Sequence, residues 1–207
     1  MEMLAIAVIC LLILPLFYVT VSFNSRNGIL LFVMGFSAFF LRLLFLKNNP
    51  PLATLNKDTL PLSLTILLIP LGLFMAFTFL KKGSLIFNKW CYLLKMMFAY
   101  LFFGALQQIF FLAVFTDSVY YLFSNRLVTY LISVVFFFSI HLSMSKELRK
   151  FLPGVFFFGM LNTYIYLWLG NIYPQMILHG IFGSIVYALY TDTDYLKKRL
   201  QAMRNVS

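Results

Sequence analysis

The chain has 207 residues, of which 62% are hydrophobic, 19% aromatic and only 11% charged. A soluble domain of this length is roughly half apolar with about a quarter of its residues charged, so a mean hydropathy of +0.93 excludes ordinary globular domains and makes lipid the solvent. Sixteen Lys and Arg against six Asp and Glu leave a net charge of +10. In a membrane chain such cations gather at helix ends in short cytoplasmic loops rather than lining a groove, so nucleic acid is excluded as a partner.

A helix needs about 20 mostly apolar residues to cross the hydrocarbon, and seven such runs follow one another. They are Met3 to Phe23, Gly28 to Leu46, Pro61 to Leu80, Trp90 to Phe115, Leu127 to Met144, Phe151 to Leu169 and Ile172 to Tyr190. The breaks carry turn chemistry: Asn24 to Asn27, Pro50 and Pro51, the stretch Lys81 to Lys89 around Gly83, and Gly170-Asn171. The predicted fold is therefore an all-α, polytopic transmembrane helical bundle, one membrane domain over residues 1–207. The first span starts without the cationic stretch of a cleavable signal and is expected to be retained.

Eleven cations (Arg26, Lys81, Lys82, Lys89, Lys146, Arg149, Lys150, Lys197, Lys198, Arg199 and Arg204) fall on one side of this topology and three (Lys47, Lys57 and Arg126) on the other. Positive charge favours the cytoplasm, so the amino terminus is expected outside and the basic tail, residues 191–207, in the cytoplasm. Arg42 and Lys95 lie near span ends, where long basic side chains snorkel to the headgroups. Cys10 and Cys91 stand apart with no CxxC spacing, which indicates neither a disulfide framework nor a structural zinc site.

A polar side chain inside the hydrocarbon needs a partner and so faces the bundle interior or a wet cavity. Such residues are Gln107 and Gln108 in the fourth span, His141 in the fifth, Asn162 in the sixth, and Gln175 and His179 in the seventh. No carboxylate joins them, because Glu2, Asp58, Asp117, Glu147, Asp192 and Asp194 all fall at span ends or in loops. Water attack on an amide needs a base and a group to hold the oxyanion. A histidine base is normally oriented by a carboxylate, and two histidines without an intramembrane acid do not make a familiar catalytic zinc set, so no metal or cofactor is expected. Each polar residue taken singly also fits a plainer role as interhelical hydrogen-bond glue, worth roughly 0.6 kcal/mol a bond.

The order of these residues adds a resemblance. Gln107-Gln108-Ile109-Phe110-Phe111-Leu112, then Phe137-Phe138-Ser139-Ile140-His141, then His179-Gly180-Ile181-Phe182-Gly183 follow the order of EExxxR, FxxxH and HxxxN/D. Residues 100–190, including the segment Gly170-Asn171-Ile172-Tyr173-Pro174 leading to His179, resemble the CAAX-protease and bacteriocin-processing (Abi) family of membrane endopeptidases. The chain departs from that pattern at four positions: both acids read as Gln107 and Gln108, the arginine as Leu112, and the closing asparagine as Gly183. A rival register for the first motif on Tyr120-Tyr121 leaves too few positions before His141.

The resemblance implies a multi-pass protein of a cell membrane, bacterial by this likeness, with catalytic positions at His141, His179, Gln107 and Gln108. Glutamine keeps the shape of glutamate but cannot take a proton near neutral pH. Loss of a general base alone costs on the order of 10² to 10⁴ in rate. The expectation is a pseudoprotease that grips a membrane-borne peptide or a membrane-protein partner, the alternative being a working endopeptidase that uses paired histidines in peptide processing or bacteriocin immunity; a carrier or channel ranks last, for want of a repeat or a broken-helix pair. The boundaries leave one geometric question. Gln107 and His179 lie in the outward halves of their spans and His141 near the inward end of its own, so either the fifth span runs on past Met144 or the three do not share one cavity.

Overall fold

The computed structural model describes residues 55–142 and 148–190, apart from the side chains of Ala99 and Phe103. The first two expected spans, the inward end of the fifth and the basic tail lie outside the described residues. What is described is helical throughout, as expected for a lipid-embedded backbone that must satisfy its own hydrogen bonds. The elements are α1 (Leu60–Asn88), α2 (Trp90–Gln108), a π-helical stretch (Ile109–Thr116), α3 (Asp117–Phe123), α4 (Arg126–His141), a 3₁₀ turn (Arg149–Phe151), α5 (Leu152–Tyr164), a second π-helical stretch (Ile165–Leu169) and α6 (Tyr173–Tyr190). Three continuous helices, Leu60–Asn88, Trp90–Phe123 and Arg149–Leu169, are long and apolar enough to cross a bilayer, and Arg126–His141 is a shorter apolar helix. This is a helical membrane protein.

The break expected over Lys81 to Lys89 opens on a kink, where Lys82 leaves helical geometry (φ −136°, ψ 20°), and helical residues resume as far as Asn88. One expected boundary is corrected. The fourth span does not stop at Phe115, since α2, the π-helical stretch and α3 run as one helix to Phe123. Two turns follow, the first in the gap between the fourth and fifth expected spans and the second at the expected Gly170. Ser124 takes a left-handed conformation (φ 49°), and the Asn125 side chain caps α4 by accepting from the Leu127 and Val128 amides at 2.9 and 3.1 Å. Gly170 takes φ 69°, a backbone conformation that favours glycine, and ends the helix before α6.

Asn171, fully buried just after that turn, ties it to the start of α1. Its Nδ2 donates to Thr59 Oγ1 at 2.9 Å and Ser63 Oγ at 2.8 Å, and its Oδ1 accepts from the Asn56 amide at 2.9 Å. Along the bundle, α2 packs chiefly on α6, α4 on α5, and α1 on α6. The α2–α6 contact is backbone on backbone. A Cβ on Gly104 would lie 2.6 Å from the Gly180 nitrogen, and one on Gly180 would lie 2.6 Å from Leu101 Cα. Small residues at such crossings let lipid-embedded helices gain dispersion contact.

Gly180→Ala therefore forces α2 and α6 apart and is expected to destabilise the protein by about 1–3 kcal/mol. Gly72→Ala, which meets open space, serves as the control, and both are read by thermal unfolding in detergent.

Candidate functional site

The glycine crossing sets the register of two polar side chains. Gln108 follows Gly104 by four positions, one helical turn, and His179 precedes Gly180 by one, so the crossing brings them face to face. Gln108 is fully buried, and its Nε2 donates to His179 Nδ1, which leaves the ring proton of His179 on Nε2. Gln107, about 100° around the same helix, is exposed and is not brought to His179.

His141 reaches the same place from α4. Its ring centroid lies 6.4 Å from that of His179. The His141 Nδ1 donates to the Phe137 carbonyl at 2.7 Å, so its Nε2 is the acceptor. One imidazole thus offers an acceptor nitrogen and the other a donor. At that separation the space between the rings suits one water or one carbonyl oxygen better than a direct bond. Aromatic rings wall it: Phe137 lies 4.5 Å from His141 and 6.1 Å from His179, and Phe158 lies 5.6 Å from His179.

Gln108 and His141 reach a common depth because the fourth helix continues past Phe115 to Phe123 before the turn from which α4 starts. Gln107 is not part of that cavity, and the course of the fifth span past Met144 lies outside the described residues.

Around this pair lies further buried polar chemistry. Asn162 on α5, Gln175 on α6 and Ser133 on α4 are fully buried. Gln175 Nε2 donates to the Asn171 carbonyl at 2.6 Å and the Asn162 carbonyl at 3.5 Å. Gln108 Oε1, Gln175 Oε1, Ser133 Oγ and both polar side-chain atoms of Asn162 have no hydrogen-bond partner among the described residues. Buried polar groups in native proteins are nearly always satisfied, so these atoms stand out within the described interior.

The reading of Asp117 as a span-end or loop residue is corrected. It is fully buried, and its carboxylate accepts from the Tyr166 hydroxyl at 2.6 Å. The π-helical stretch accounts for this. Gln108 and Asp117 are nine residues apart, two and a half α-helical turns, which would put them on opposite faces. The wider coil between them takes more residues per turn and turns both inward. Asp117 has its own partner in Tyr166. Among the described residues no group of three or more His, Cys, Asp or Glu stands close enough to hold a metal ion.

Two departures from the family pattern have structural counterparts. Leu112 is fully buried against apolar neighbours that include Phe111, Phe137 and Tyr166, where an arginine would be stranded. Gly183 lies under Tyr100: a Cβ there would meet the ring Cδ1 at 2.7 Å, and that ring stacks on Tyr187 at 5.1 Å.

Residues 88–185 match the family model for type II CAAX prenyl endopeptidase Rce1-like proteins. Comparison with curated proteins and with solved structures returned no match. The matched residues contain every side chain of the histidine site.

Gly183→Asn is expected to destabilise the fold by about 1–3 kcal/mol through the clash with Tyr100, and Tyr100→Ala in the same chain to recover part of that, as read by thermal unfolding. Tyr166→Phe, which removes a hydrogen bond from a buried carboxylate, is expected to cost about 1–3 kcal/mol, and Asp117→Asn less, since its amide oxygen still accepts from Tyr166.

Proposed function

Because residues 88–185 match the model for type II CAAX prenyl endopeptidase Rce1-like proteins, we propose that this integral membrane protein is a non-cleaving member of that family that holds a membrane-borne peptide or a partner's membrane segment. The observation that carries this reading is the joint replacement of the motif groups: Gln108 is bonded to His179, Leu112 belongs to an apolar cluster, and Tyr100 covers Gly183. A glutamine amide positions an imidazole but takes no proton from water. In this reading the chain is multi-pass, with its amino terminus outside and its basic tail in the cytoplasm. A guest's main-chain carbonyl accepts from His179 Nε2–H and its N–H donates to His141 Nε2, while Gln108 Oε1, Gln175 Oε1 and the Asn162 side chain offer further hydrogen bonds along a longer segment.

A second reading, an endopeptidase that works without glutamate, draws support from the acceptor nitrogen of His141 beside the donor of His179. The two part experimentally. The full-length protein in nanodiscs is incubated with a prenylated peptide bearing a CAAX terminus, and products are followed by mass spectrometry. The expected result is no cleavage, with crosslinked capture of the peptide reduced in His141→Ala and His179→Ala. Turnover by the wild type that either substitution abolishes overturns the non-cleaving reading. Gln108→Glu supplies the absent base, and turnover appearing only in that variant confirms which group silences the site.

A further inference from the structure

The strongest feature outside the histidine site lies at the end of the bundle opposite the Ser124–Asn125 turn, where α1, the Arg149–Phe151 turn and α6 meet. Tyr190 is its centre. The Tyr190 hydroxyl pairs with Thr78 Oγ1 at 3.2 Å, and the ring packs edge-on against Phe151 at 4.8 Å, so it is fixed from both sides. Two ammonium groups converge on it from different elements, Lys82 Nζ at 5.9 Å and Lys150 Nζ at 5.3 Å from the centroid. Lys150 also stands 5.6 Å from the Phe151 ring. The kink at Lys82 interrupts an otherwise regular helix just where this side chain leaves α1. Lys89 adds a third cation nearby, its Nζ donating to the Ala188 carbonyl at 3.3 Å.

Cation–π attraction holds each lysine to the ring, but it does not neutralise either charge. Among the described residues the acids are Asp58, before the opposite end of α1, and Asp117, bonded to Tyr166, so neither offsets these cations. Two like charges held at one ring repel, and a phosphate that accepts from both ammonium groups removes that repulsion through charge-assisted hydrogen bonds. Lysine and tyrosine at the end of membrane helices lie at headgroup level, where the phosphates of anionic lipids are concentrated.

We propose that Lys82 and Lys150, presented on the ring of Tyr190, form a binding site for the phosphate of an anionic phospholipid.

The test uses the full chain in detergent, titrated with phosphatidylglycerol, with phosphatidylcholine, or with millimolar inorganic phosphate, and read by native mass spectrometry and thermal unfolding. The wild type is expected to retain phosphatidylglycerol over phosphatidylcholine, with affinity falling about 5-fold for each lysine replaced in Lys82→Gln and Lys150→Gln. Lys82→Arg with Lys150→Arg keeps the affinity, and Lys57→Gln, at the other end, leaves it unchanged. Should the double glutamine variant fail to fold, Lys150→Gln alone, at an exposed position, carries the test. Equal affinity in the glutamine variants, or an equal loss in Lys57→Gln, overturns the site. Stabilisation by inorganic phosphate that depends on the same two lysines and excludes the lipid overturns the lipid as the source.

Discussion

Everything at the centre of this molecule depends on how closely α2 and α6 approach at Gly104 and Gly180. Without Cβ atoms the two backbones touch, and the side chains flanking that point are pressed together. Gln108 meets His179 for this reason and no other, and the imidazole is thereby held in one tautomer. Water offers no hydrophobic drive between helices inside a bilayer, so close packing and a few buried hydrogen bonds must supply the attraction. The crossing supplies both at one place. His141 then completes the arrangement from α4, its ring steadied by the Phe137 carbonyl one turn back.

The chemistry left at this place is neutral and two-sided. A hydrolytic centre concentrates charge where charge will develop, whereas here the histidine pair is flanked by uncharged amides, and the buried acid among the described residues, Asp117, accepts from Tyr166. The altered motif positions are coherent with one another. Apolar neighbours surround the position where the family has arginine, and an aromatic ring covers the position where it has asparagine.

Much of this was legible in the sequence. Apolar runs and turn residues marked the helices, and Gly170 lies at a turn because left-handed backbone geometry is a local property. The order of Gln107-Gln108, His141 and His179 pointed to one site. What local reasoning missed depended on partners far along the chain. Asp117 read as an end because an unpaired acid is costly in lipid, and its partner stands 49 positions away. The choice of Gln108 over Gln107 had a usable signal, the four-residue spacing from Gly104, but its meaning required knowing that Gly104 faces Gly180. The π-helical coil had no sequence signature at all.

The pairing of Asp117 with Tyr166 also bears on biogenesis. The ribosome adds roughly 5–20 residues per second, so the 49 positions between them correspond to roughly 2–10 seconds in which the acid is made and its hydroxyl partner is not. During that interval the helix carrying Asp117 is a poor lodger in bare lipid. The acid's Tyr166 bond in the bilayer thus waits on the later helix that carries the hydroxyl.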